Sequence, residues 1–172
     1  MLEISLTYYR YGFLGSEFLT WLWFLIANNG LDKFFLEKKE ALEIGNKIVL
    51  ERKENDAAEK VTIKGRCAGL EEGIFSLKKG AVVKELNLIY KKEDKVWSFT
   101  ITGENLYVSN MHVPDIGFIE SKRDVDGFVL DKTALYESVY ILIDNLYKNF
   151  IKIRVSGSWP KVVSDINKWI SA

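Results

Sequence analysis

The stretch Leu14-Gly15-Ser16-Glu17-Phe18-Leu19-Thr20-Trp21-Leu22-Trp23-Phe24 constrains this chain more than any other. It sets two tryptophans and two phenylalanines in a run bounded by Gly15 and Gly30. Such a run is costly to leave in water, so the fold must cover it. From Phe18 to Ala27 only Thr20 is polar. A bilayer span needs about 20 apolar residues, so a buried helix is expected rather than a membrane segment. Ser16 reads as its N-cap, with Glu17 in the first turn where the helix dipole favours an acid. Asn29-Gly30 is its stop signal. Apolar residues occupy every side, which predicts burial on most faces.

With 172 residues, 48% of them hydrophobic, and only two prolines, the chain reads as a single α+β domain over residues 1–172. Its 24 basic residues balance its 24 acidic ones. Net charge therefore lends no support to a nucleic-acid or membrane partner. Cys67 is alone, which excludes an internal disulfide and fits a reducing, cytoplasmic setting. The start Met1-Leu2-Glu3-Ile4 carries an acid where a signal peptide carries basic residues.

Elsewhere the periodicity favours strands. Glu3 to Phe13 alternates loosely and reads as a strand. Ile44-Gly45-Asn46-Lys47 reads as a turn between strands Phe34–Glu43 and Lys47–Lys53, and Lys60–Lys64 alternates up to Gly65. Between Arg66 and Lys79, Leu70, Ile74 and Leu77 have helical spacing, ending at Gly80. The clearest hairpin follows. Val82, Leu86, Leu88 and Tyr90 form an apolar face interrupted by Lys84, and Lys92-Glu93-Asp94-Lys95 turns the chain. Trp97, Phe99 and Ile101 then face inward, with Ser98 and Thr100 outward. Gly103-Glu104-Asn105 turns again into a third strand, Leu106-Tyr107-Val108, and Met111–Gly117 reads as a loop. A long amphipathic helix is expected from about Asp124 or Thr133 to Phe150, broken by Gly157. A final helix begins at Ser158-Trp159-Pro160, with Val162, Val163, Ile166, Trp169 and Ile170 as its buried stripe. The expected fold is an antiparallel meandering sheet packed with an N-terminal buried helix and C-terminal helices.

Motifs for chemistry are sparse. One His and one Cys cannot build a structural zinc site, and no metal or other cofactor is implied. Cys67 and His112 form a nucleophile pair only if the fold brings them together, and a buried Cys with a surface His is the simpler account. No phosphate-cradling glycine motif, nucleophile elbow or small-molecule substrate signature is present. Pro114-Asp115 followed by Glu120-Ser121-Lys122 imitates the nuclease pattern in which acids hold a divalent ion that activates water. Only four residues separate Asp115 from Glu120, a spacing that arises readily by chance. Lys78, Lys79, Lys84, Lys91, Lys92 and Lys95 cluster around the hairpin and suit phosphate contacts. Glu85, Glu93 and Asp94 lie among them, and a solvated, edge-protecting rim is the competing account.

Two stretches together resemble a known family. Leu14–Trp23 and Lys79-Gly80-Ala81-Val82-Val83-Lys84-Glu85-Leu86-Asn87-Leu88, followed by the Trp97–Phe99 strand, are similar to the C-terminal half of the RdgC family of recombination-associated proteins. The family order is a Leu-Thr-x-Trp helix, strands, a short helix, a Gly-x-Val-Val-x-x-Leu-x-Leu strand, an aromatic strand and a closing helix. The resemblance runs from about Leu14 to Phe150, and the family's long N-terminal half has no counterpart here. It implies a homodimeric, nucleoid-associated protein that binds duplex DNA without sequence preference and acts in recombination or replication. Lys79 and Lys84 fall in the matching region. The first expectation is therefore a non-catalytic, oligomeric DNA-associated protein. The alternative is an interaction or scaffold module that dimerises through the long C-terminal helix, around Leu135 to Phe150, without binding DNA. A nuclease built on Asp115, Glu120 and Lys122 is the third.

Overall fold

A computed structural model of the chain describes residues 12–35, 39–54, 57–65, 69–117 and 125–172. Within them the chain forms α1 (Phe13–Ala27), a 3-10 turn (Asp32–Phe34), β1 (Glu40–Glu54), β2 (Ala57–Lys64), α2 (Gly69–Lys78), β3 (Val82–Lys92), β4 (Lys95–Thr102), β5 (Val108–His112), α3 (Val125–Arg154) and α4 (Trp159–Ser171). The five strands make one antiparallel sheet in the order β2-β1-β3-β4-β5. The half from β3 to β5 is a meander. The chain reaches β3 from β2 by crossing through α2, because β1 lies between them. The fold is α+β, as the sequence leads one to expect.

One sheet face carries the core. Leu42, Ile48, Leu50, Ile63, Val83, Leu86, Leu88, Tyr90, Trp97, Phe99 and Ile101 are all buried there and join a single apolar cluster with α1, α3 and α4. Helix α1 is the hub, with Phe18, Trp21 and Trp23 at most 1% exposed. Phe18 meets Tyr147 edge-on at 5.3 Å and Phe150 at 5.5 Å between ring centroids. Trp21 meets Phe34 and Phe150, and Trp23 meets Trp169 edge-on at 5.5 Å. These distances and tilts are the preferred aromatic geometry. The aromatic helix is covered by the sheet on one side and by α3 and α4 on the other.

Helix ends follow their chemistry. Asn29 takes a positive φ of 52°, its N–H donates to Ile26 O, and Gly30 N–H donates to Leu25 O. That pair of hydrogen bonds is a Schellman cap. The same cap closes α2, with Gly80 at φ 84°, Gly80 N–H on Leu77 O and Ala81 N–H on Ser76 O. The start of α1 differs from expectation. The helix begins at Phe13, and Ser16 is not its cap: its carbonyl accepts the Thr20 hydroxyl at 2.8 Å. Phe13 thus belongs to this helix; the rest of the strand expected over Glu3–Phe13, apart from Gly12, lies outside the described residues.

The expected turn at Ile44–Lys47 is absent. β1 runs unbroken from Glu40 to Glu54, and the irregularity is a bulge between Ile44 and Ile48 against β3. Asn87 sustains it. Its Oδ1 accepts the Asn46 N–H at 3.0 Å, and its Nδ2 donates to Phe99 O and to Thr100 Oγ1. Strand-breaking Gly and Asn are turn signals in sequence, but a bulge uses them equally well. Asn87→Ala is expected to lower stability by about 1–3 kcal/mol, by stranding these groups. Faster amide exchange at Asn46, followed by NMR, would accompany it; unchanged exchange there would contradict the bridging role.

A second bulge moves the apolar face of β3. Its register against β1 slips between Val49 and Leu50, so Val83 is buried and Val82 is exposed, opposite to strict alternation. Thr100, expected outside, points outward yet is only 3% exposed. The other departures are shifts of boundary. β1 starts at Glu40 rather than Phe34, β5 is Val108–His112 rather than Leu106–Val108, and α3 runs on to Arg154.

Candidate functional site

Three of the candidate lysines, all on β3, are paired with acids of β1 across the sheet. Lys84 Nζ lies 3.0 Å from Glu51, Lys91 is paired with Glu43, and Lys92 lies 3.7 Å from Glu40, which also accepts the Tyr90 hydroxyl. Glu85 lies between Lys47 at 2.7 Å and Lys60 at 3.6 Å. Lys78, Lys79 and Lys95 make no ion pair with a described residue; Lys79 instead lies over the Phe75 ring at 4.3 Å. The two groups are also separated. Lys78, Lys79 and Lys84 sit near the start of β3, and Lys91, Lys92 and Lys95 at its far end, roughly 30 Å away at the rise of a strand. The fold spreads the six lysines along a strand and pairs three of them with acids, rather than gathering them in one groove.

The Lys47 hydrogen bond and the nearby positive charges hold the Glu85 carboxyl below its ordinary pKa, against an opposing push from partial burial. A depressed carboxylate pKa stabilises the fold above the unfolded-state value, and that stability is lost as pH falls through the folded value. Glu85→Gln is therefore expected to flatten the loss of stability between about pH 5 and pH 3, by less than about 1 kcal/mol for so accessible a pair. Urea midpoints at pH 6 and pH 3 test this; an undiminished acid loss in the variant would contradict it.

The other candidates are scattered. Asp115 is exposed, and its Oδ1 accepts the Gly117 N–H at 3.0 Å, a local turn contact. Glu120 and Lys122 lie outside the described residues, as does Cys67. His112 Nδ1 lies 3.0 Å from the Asn110 carbonyl and 3.4 Å from Ser98 Oγ. No group of three His, Cys, Asp or Glu among the described residues is placed to hold a metal ion. No helix among them is long and apolar enough to cross a membrane.

Helix α3 carries a feature the sequence pattern conceals. Its buried residues are Leu135, Val139, Leu142, Ile143, Leu146 and Phe150, so docking begins at Leu135, and the apolar stripe of the seam expected around Leu135–Phe150 is taken up by the chain's own core. There the Trp97 indole N–H donates to the Leu135 carbonyl at 2.9 Å. The ten residues before Leu135 include none that is buried. Yet Val125, Val129, Leu130, Tyr136, Tyr140 and Ile141 are all exposed, Leu130 at 70%. They are half of the large apolar residues exposed among the described ones. The sequence signal lay in residues off the core stripe: Val129, Tyr136 and Tyr140 repeat the helical spacing of Phe128, Leu135 and Val139 one position further on.

Compared with known proteins, the chain matches no family model, no curated sequence and no solved structure.

Proposed function

We propose that this chain is a protein-interaction module that pairs with a second copy of itself through α3. The observation that carries this reading is the concentration of exposed apolar side chains on one helix, beyond the scattered single residues of an ordinary surface. From Val125 to Ile141 the helix offers a face about 25 Å long. Val125, Val129, Tyr136 and Tyr140 fall on one edge of it, at steps of four, seven and four. Those steps are self-complementary. In an antiparallel pair about a two-fold axis between Lys132 and Thr133, Val125 meets the partner's Tyr140 and Val129 meets the partner's Tyr136. Each such contact recurs by symmetry, as an isologous interface requires. Sedimentation equilibrium at micromolar concentration is expected to give twice the chain mass of 19.8 kDa. A monomer at every concentration up to about 100 μM would overturn the reading, because such weak pairing falls short of a specific interface.

A second reading is sequence-independent association with duplex DNA. Lys78, Lys79 and Lys95, which lack a described carboxylate partner, support it, as does the resemblance to the RdgC family. Three phosphate contacts predict that affinity falls about 40-fold between 50 and 200 mM salt. A gel-shift titration over that range tests it. No retardation at 50 mM would remove DNA from consideration, while leaving the α3 seam untouched.

A further inference from the structure

The apolar stripe of α4 is only partly covered. Ile166 is buried, but Val162, Val163, Trp169 and Ile170 remain half-buried. Val163, Ile166 and Ile170 instead overhang a cavity of about 670 Å³ between α4, the first turns of α1 and the start of β3. Phe13, Leu77 and Trp159 complete its apolar wall. That volume lies within the range of ligand-binding pockets, and a mostly apolar wall with a few polar groups is their usual composition. Side chains patterned as core but left wet forgo burial that an apolar occupant would restore.

The polar side of the cavity defines the occupant's charge. Glu17 and Glu51 both line it, and each has its own cation. Arg154 Nε donates to Glu17 at 2.8 Å, with its guanidinium over the Trp159 ring at 5.0 Å. Lys84 Nζ lies 3.0 Å from Glu51. A charged head would have to break one of these pairs or stay uncompensated in a half-apolar site. The Thr20 hydroxyl is spent on the Ser16 carbonyl. The Ser16 hydroxyl and the Asn167 amide also line the cavity, and neither has a hydrogen-bond partner among the described residues. From this juxtaposition we infer that the cavity binds an uncharged amphipathic small molecule, its apolar body under α4 and a single hydroxyl or amide head at Ser16 and Asn167. The site is separate from the α3 seam and does not depend on it.

The test is a fluorescence titration with N-phenyl-1-naphthylamine, a neutral apolar probe, followed by displacement with 1-decanol, decanoate and decylamine. Saturable binding at one site per chain is expected. 1-Decanol should displace the probe at concentrations at least about tenfold below those of either charged analogue. Val163→Trp and Ile170→Trp, at half-buried positions, should each narrow the cavity and weaken probe binding at least about fivefold, roughly 1 kcal/mol, with the circular dichroism spectrum unchanged. Ser16→Ala should weaken 1-decanol about fivefold, the worth of one hydrogen bond, without changing the probe's own affinity. Absence of saturable binding, probe affinity undiminished in both folded tryptophan variants, or stronger displacement by decanoate or decylamine would each overturn the assignment.

Discussion

Gly15→Ala is expected to lower the stability of the chain by about 3 kcal/mol or more, the upper range for overpacking. A Cβ at Gly15 would lie 1.7 Å from the Gly103 carbonyl oxygen and 2.7 Å from its carbon. Both are backbone atoms, so no side chain can rotate away. The turn that holds Gly103 is itself fixed: Gly103 N–H donates to Lys84 O at 2.7 Å, and Thr102 N–H donates to Tyr107 O at 2.9 Å. Relief therefore requires α1 to lift from the sheet, which would disturb the Phe18, Trp21 and Trp23 contacts together. Gly127→Ala supplies the control, since nothing lies within 4 Å of a Cβ there. In the exposed part of α3 that change is expected to stabilise by up to about 1 kcal/mol, the helix-propensity difference. Urea unfolding of the two variants gives the comparison; a Gly15→Ala protein within 1 kcal/mol of the parent would mean that α1 does not sit as close to the β4–β5 turn as the fold requires.

The aromatic helix was legible from sequence because its information is local: composition, length and a stop signal all lie within Leu14 to Gly30. The hairpin of Tyr90 and Trp97 was legible for the same reason, since alternation on both strands agrees with the turn between them. What failed was any reading that needed the neighbour's register. Gly45 and Asn46 look like a turn until Asn87, 41 residues away from Asn46, bridges them as a bulge. Val82 and Val83 are equivalent by composition, and only the slip between Val49 and Leu50 decides which is buried. The lysines of β3 read as a positive cluster, because the acids that pair with them, Glu40, Glu43 and Glu51, belong to β1 and meet them only across the sheet. The exposed edge of α3 was hidden by its own periodicity. A helix that satisfies one stripe draws attention away from Val129, Tyr136 and Tyr140, and exposure is a property of the surroundings rather than of the residues. The cavity under α4 had no sequence signal, because half-burial and full burial of an apolar stripe have the same spacing.

Charge placed in the α3 seam has the second large expected effect. By two-fold symmetry, Val129→Lys puts a cation against the partner's Tyr136 twice in each dimer. Tyr136→Glu puts an anion against the partner's Val129 twice. At about 2 kcal/mol for each charge buried without a partner, either change should weaken dimerisation by about 4 kcal/mol, roughly a thousandfold. Neither residue is buried within the chain, as Val129 is 54% and Tyr136 38% exposed. The monomer should therefore keep its fold, with a circular dichroism spectrum like the parent's and an unfolding midpoint lowered only by the lost contribution of dimerisation.

Combining the two changes separates this register from a loosely sticky surface. In the antiparallel pairing, Lys at 129 would face the partner's Glu at 136 at two symmetric places, so each charge regains a counter-charge. The direct measurement is sedimentation equilibrium of the parent chain, Val129→Lys, Tyr136→Glu and the double variant at one protein concentration and ionic strength. The account predicts dimer, monomer, monomer and, for the double variant, a return toward dimer. A parent chain that is monomeric, or single variants that dimerise as strongly as the parent, would contradict it.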